Sequence, residues 1–232
     1  MEYLELVYNS FNKPTGKAKI NRQSHRLNVT KQPKKANIVL DVDKTLIQTI
    51  PTELYYKLQL KTKPDYLTQD FAYFKRREMD KFLRFCFKNF KNVALWSLGS
   101  KEHIDLVIEK LFKIPKEMFA FVWTFPEHGE EIRTKIGGYL SITYRKNLRK
   151  IWTNNSLIYK GFRKQNTLMI EDTPSNCRET PENCLSIQPF EVWTDRMIQR
   201  DQNLKIMADK LKQILRQFNT GTKITKAREG YP

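Results

Sequence analysis

The run Ile38-Val39-Leu40 stops abruptly at Asp41, and a second acid follows at Asp43. A short, wholly apolar, β-branched run reads as a strand buried on both faces. Such strands belong to parallel sheets covered by helices rather than to antiparallel sheets with one wet side. Carboxylates at the carboxyl end of that strand stand where open α/β sheets place their ligands. The rest of the chain keeps to this plan. Residues 77–90 put Met79, Phe82, Leu83, Phe85, Cys86 and Phe90 at helical spacing, and Val93 to Trp96 follows as a second strand. Residues 101–112 repeat the helical pattern before a third strand at 119–124. A fourth strand is expected at 167–170, a short fifth at 185–187 and an amphipathic helix at 204–218. Strands alternating with helices predict an α/β, doubly wound parallel sheet. The interval between Thr45 and Arg76 is too short for a separate cap domain, so the site is expected to be open.

The chain has 232 residues, 40% of them hydrophobic, enough for one core flanked by tails. The boundaries expected are a basic arm over 1–35, a catalytic domain over 36–218 and a tail over 219–232. The longest apolar run near the middle, Phe119 to Trp123, falls far short of the ~18 residues a membrane span needs. Glu2 and Glu5 argue against a signal peptide. Cys86, Cys177 and Cys184 are too few and too oddly numbered for a disulfide framework, and no CxxC pair suggests zinc. A reducing intracellular compartment is expected, the nucleus before the cytoplasm.

Charge identifies the class of partner. The 42 basic and 25 acidic residues leave +17, and no acid lies between Leu6 and Leu40, where Lys13, Lys17, Lys19, Arg22, Arg26, Lys31, Lys34 and Lys35 are spread. Such a field attracts phosphates, whether on nucleic acid, an anionic membrane or a phosphorylated protein.

Three strand ends carry complementary polar groups: Asp41 and Asp43 after the first, Ser97 after the second, Glu171 and Asp172 after the fourth. A carboxylate is repelled by a phosphate dianion unless a hard cation bridges the two, and such a cation selects oxygen ligands. One acid at a strand end would read as a helix cap or a solvated turn. Five polar groups at three strand ends do not.

Asp41-Val42-Asp43-Lys44-Thr45 resembles the first motif of the haloacid dehalogenase superfamily, and the likeness continues in order along the chain. Lys75-Arg-Arg-Glu-Met-Asp-Lys-Phe-Leu83 is similar to the segment before the second motif of the small C-terminal-domain (FCP/SCP-like) phosphatases, and Ser97 falls at their threonine or serine position. Tyr144-Arg-Lys-Asn-Leu148 looks like their third motif, and Glu171-Asp-Thr-Pro174 with Pro181-Glu-Asn183 like their fourth. The resemblance implies a HAD-like fold and a phosphoserine/phosphothreonine protein phosphatase. Asp41 would be its nucleophile and Asp43 its general acid and base. Thr45, Ser97 and Lys146 would bind phosphate. Asp41, Asp43 and Asp172 would hold Mg2+, with Glu171 in its outer shell. The partner implied is a phosphorylated, nucleic-acid-associated protein. A narrower likeness, through Trp96-Ser-Leu-Gly-Ser-Lys-Glu-His103 and the Lys/Asn/Ile-rich composition, is to baculovirus-type nucleocapsid-assembly phosphatases, which would make the protein virion-associated.

The chain departs from that pattern twice. Glu171 is one methylene longer than the usual aspartate. The arginine that helps hold phosphopeptide has no counterpart near Trp123-Thr124-Phe125, leaving Arg133 and Arg178 as candidates to replace it. His25, His103 and His128 are not spaced for a metal or a triad and read as surface or packing residues. Trp96 and Trp123 read as core. Two other functions fit the charge: a nucleic-acid end phosphatase, and a catalytically idle module that binds phosphoprotein or nucleic acid.

Overall fold

The computed structural model describes residues 36–136 and 139–225; the basic arm and the end of the tail lie outside the described residues. The strands are β1 (Asn37–Leu40), β2 (Ile47–Pro51), β3 (Tyr66–Leu67), β4 (Phe71–Lys75), β5 (Asn92–Ser100), β6 (Val122–Phe125), β7 (Glu130–Ile136), β8 (Tyr139–Arg145), β9 (Thr167–Glu171) and β10 (Cys184–Ser186). The α-helices are α1 (Thr52–Lys57), α2 (Met79–Asn89), α3 (Lys101–Val107), α4 (Arg149–Thr153), α5 (Asn155–Lys160), α6 (Asp195–Arg200) and α7 (Asn203–Asn219). None of the helices described is long and apolar enough to cross a membrane.

β1 is the central strand of a five-stranded sheet ordered β10-β9-β1-β5-β6, every pairing in it parallel. Successive side chains of a strand point to opposite faces, so each strand feeds two cores. Ile38, Leu40, Leu95 and Ile170 pack with Phe82 of α2, Ile104 of α3 and Leu211 of α7. Val39, Trp96 and Met169 face the other way, onto Ile151 of α4 and Leu157 of α5. Both faces are covered, as the unbroken apolar runs of β1 and β9 require. Trp96 is fully buried and meets Trp123 edge to face at 4.8 Å.

Two additions rise around the strand ends. Between Thr45 and Arg76 the chain folds into an antiparallel sheet of order β2-β4-β3, whose Ile50, Ala72 and Phe74 share a third core with Phe190, Val192 and Ile198. β7 and β8 form an antiparallel hairpin that leaves Tyr139, Leu140 and Ile142 exposed. Neither was expected from the sequence, although Leu140-Ser-Ile-Thr-Tyr144 of β8 does alternate apolar and polar residues as a strand would. The helix expected over 101–112 turns π-helical at Ile108–Phe112 and ends on Lys113 at φ 55. Packing also runs past Phe218, since Ile224 is fully buried in the first core.

Arg76 ties these parts together. It is fully buried, donating from Nε and Nη2 to Asp201 at 3.0 and 2.9 Å. Nη1 donates to the carbonyls of Lys44 and Thr45 at 3.3 and 3.1 Å, and Nη2 also reaches Gln188 O at 2.7 Å. One side chain thereby braces the turn after β1 against the segment after β10. The cysteine count did not suggest a crosslink, yet Cys177 and Cys184 form a disulfide, because two 3-10 turns fold the seven-residue interval back on itself. Cys86 is free and buried.

Candidate active site

Asp41 leaves β1 with its backbone still in register, its N–H donating to Ile170 O at 3.0 Å. The chain then turns tightly. The N–H groups of Leu46 and Ile47 both donate to Val42 O, and Lys44 adopts φ 58, in the left-handed region. Asp41 and Asp43 both line an open cleft of about 520 Å³ at the carboxyl ends of the strands, with Ser97, Lys146, Glu171 and Asp172. The structure thus brings together every site residue expected from sequence except Thr45. That residue is fully buried behind the turn, its hydroxyl without a hydrogen-bond partner, and it does not line the cleft.

Lys146 enters from the loop after β8, where its backbone N–H donates to Asn176 O at 3.2 Å. Its buried ammonium donates to Asp41 Oδ1 and, at 2.7 Å, to Glu171 Oε2. Burial would lower the Lys146 pKa, but the two carboxylates more than offset that and hold it in the ammonium form. Burial pushes the Asp41 carboxyl well up, and the nearby Glu171 charge adds to that, against the pull of Lys146. Burial raises Glu171 too, opposed by Lys146 and Asn176. The extra methylene of Glu171 has a use here. Its carboxylate reaches Lys146 through Oε2 and accepts from Asn176 Nδ2 at 2.9 Å through Oε1.

One carboxylate oxygen from each of Asp41, Glu171 and Asp172 lies within 4.8 Å of the others. Fully ionised, the three carboxylates would leave two surplus negative charges against one ammonium; burial raises Asp41 and Glu171 against that state, and Asp41 Oδ2 is buried without a hydrogen-bond partner. An all-oxygen donor set with that charge fits a hard dication.

Asp43 is held differently. Ser97 Oγ donates to its Oδ2 at 2.9 Å while accepting from Gly99 N–H at 2.8 Å. Ser97 therefore faces the site; the helix cap is Ser100, which accepts from His103 N–H. His103 Nε2 lies 2.8 Å from Asp43 Oδ1. Burial would raise the Asp43 pKa, but His103, Ser97 and Lys146 bring it below the ordinary aspartate value. Of the two arginines considered as phosphate partners, neither Arg133 nor Arg178 lines the cleft. The lysines that do are Lys146 and Lys44, the latter 3.1 Å from Glu191. Sequence reasoning missed His103 and Asn176. For His103 a signal existed: Ser100 as helix cap places it on the first turn of α3, directly beyond the strand end that carries Ser97.

Residues 36–222 match the profile of a family described as NLI interacting factor-like phosphatases. The chain is 31% identical over 183 residues to the CTD phosphatase-like protein 355R of Invertebrate iridescent virus 6, covering 75% of this chain and 96% of that protein. It is similar to the solved structure of Fcp1, an essential RNA polymerase II CTD phosphatase, with a TM-score of 0.57 at 13% identity. That match covers 82% of this chain and 64% of the Fcp1 chain, so the chain spans under two thirds of that relative's length. At such identity the likeness bears on the fold alone, and the fold is the HAD-like one expected.

Proposed function

The chain belongs to the NLI interacting factor-like phosphatase family, and from that premise we propose that it is a magnesium-dependent phosphoserine/phosphothreonine protein phosphatase working through an aspartyl phosphate. One observation carries this reading: Asp41, Lys146 and the Glu171-Asp172 pair converge in one cleft, with Asp43 beside them. Asp41 attacks phosphorus in line, forming a carboxyl O–P bond as the bond to the serine or threonine oxygen breaks. Asp43, whose hydrogen-bond partners favour its ionised form, has to bind a proton from solvent before it gives one to that departing oxygen. A water then attacks phosphorus, Asp43 takes a proton from it, and inorganic phosphate leaves with the Asp41 carboxylate restored. Lys146 holds phosphoryl oxygens as charge builds on them, while Ser97, expected from sequence to do the same, gives its hydroxyl proton to Asp43. Asp41 and Asp172 would hold Mg2+, with Glu171 ordering its surroundings, and the ion supplies charge neutralisation between carboxylate and phosphate.

A metal-stripped preparation is expected to be inactive until magnesium is returned, and Asp172→Ala to raise the magnesium needed for half-maximal rate at least roughly tenfold. An unchanged magnesium titration for Asp172→Ala would move the ion to another carboxylate. The net charge of +17 favours one competing reading, a nucleic-acid end phosphatase. Parallel assays with a phosphoserine peptide and a 3′-phosphorylated oligonucleotide decide between them, and the peptide is expected to be the better substrate. Turnover of neither would leave the idle binding module.

The basic arm is assigned to recruitment of an acidic or nucleic-acid-associated substrate. Deleting residues 1–33 is expected to leave turnover of small aryl phosphates unchanged. It should also flatten the salt dependence of binding to an anionic macromolecule between ~50 and ~200 mM. Equal salt slopes for the two proteins would shift recruitment to the folded domain.

A further inference from the structure

We propose that His103 is a positioning residue for this reaction, holding the Asp43 carboxyl in the orientation from which a proton passes to the departing serine or threonine oxygen. The inference rests on the phosphatase reading above and deepens it. An ionised carboxylate offers about four lone-pair sites. The His103 ring nitrogen takes one on Oδ1 at 2.8 Å and the Ser97 hydroxyl takes one on Oδ2 at 2.9 Å, which fixes the carboxyl plane. A lone pair on each oxygen stays available for the transferred proton. Without the two partners, a partly exposed aspartate on a loop would turn freely about its terminal torsion, which is broad and roughly two-fold.

The partners are themselves held. The His103 ring stacks on Tyr73 of β4 at 5.9 Å with 24° between planes, and its backbone N–H donates to the Ser100 cap. The Ser97 hydroxyl accepts from Gly99 N–H, which turns its own proton toward Asp43. Gly99 supplies an independent sign that these groups converge by design. A Cβ there would come within 3.0 Å of His103 Cδ2, 3.1 Å of Ser97 Oγ and 3.3 Å of Asp43 Oδ2. A methyl group at position 99 would therefore press on all three side chains, which would have to give by a few tenths of an ångström. The chain Tyr73–His103–Asp43 also gives the inserted sheet a part in the chemistry: β4 steadies the ring that steadies the acid.

The test uses the full-length protein with His103→Phe, which keeps a ring against Tyr73 but removes the nitrogens, and His103→Gln, which returns an N–H donor. Values of kcat/KM are measured for p-nitrophenyl phosphate, phenyl phosphate and a phosphoserine peptide, in order of increasing need for a proton on the leaving oxygen. The loss in His103→Phe is expected to grow along that series, being about tenfold to a hundredfold larger for the peptide than for p-nitrophenyl phosphate. His103→Gln should recover most of the difference. Because the same folded molecules turn over every substrate, ratios between substrates are unaffected by any fraction that fails to fold. Equal losses across the series, or none on the peptide, would overturn the positioning role and leave the phosphatase reading standing. A wild-type protein that turned over none of the three would overturn that reading, and the role with it.

Discussion

Asp41→Asn is expected to abolish phosphatase turnover, with a loss in kcat on the order of 10⁶, the scale seen when a covalent nucleophile is removed. An amide cannot form the acyl phosphate, while the change in volume is negligible and the amide oxygen can still accept from Lys146. Phosphopeptide affinity should therefore survive within a few-fold, placing the loss in kcat rather than in binding. Rapid-quench mass spectrometry of the wild-type protein should find phosphate on the peptide containing Asp41, and the variant should carry none. Turnover by the variant within about a hundredfold of wild type would exclude Asp41 as the nucleophile.

The second large effect is on stability. Arg76→Met keeps the apolar stem but removes the guanidinium from the Asp201 carboxylate, which is left with Asn203 alone, and from the carbonyls of Lys44, Thr45 and Gln188. Breaking a buried pair by removing one partner costs about 3–5 kcal/mol. In a domain of this size that corresponds to a fall of roughly 6–20 °C in Tm. Differential scanning calorimetry reads it directly, and a shift below about 2 °C would mean that the clamp contributes little. The pair also sets a pH dependence. Burial would raise the Asp201 carboxyl, but Arg76 and Asn203 hold it below the ordinary value. Its contribution is therefore complete above the unfolded aspartate pKa of about 3.9 and lost as pH falls through the lower folded value. The gap in Tm between wild type and Arg76→Met should narrow in that acid range.

The parts of the fold legible in sequence are those whose residues face a core. β1, β5 and β9 are apolar on both faces because helices cover both, and that continuity marks them. α2 and α7 bury one stripe each, and their spacing marks them. The inserted sheet was harder to see. Within Phe71-Ala-Tyr-Phe-Lys75 the aromatic residues serve a local core and the cleft at once, so neither alternation nor helical period emerges. In the site, residues were legible where they stand at a strand end in a motif with fixed spacing, as Asp41, Asp43 and Asp172 do. Thr45 belonged to such a motif, but it is buried behind the turn beside Asp41 and does not line the cleft. For His103 the sequence could offer its place on the first turn of α3 but not its partners, since those are Asp43, sixty residues back in the chain, and Tyr73. Glu171 read as a departure from a pattern, and only the positions of Lys146 and Asn176 show what its length reaches.

The hairpin of β7 and β8 has a consequence for how such a protein can diversify. Lys146 follows directly on β8, yet the exposed Tyr139, Leu140 and Ile142 belong to neither core of the main sheet. A change at one of these residues therefore leaves both cores, and the strand ends that carry Asp41 and Asp172, untouched.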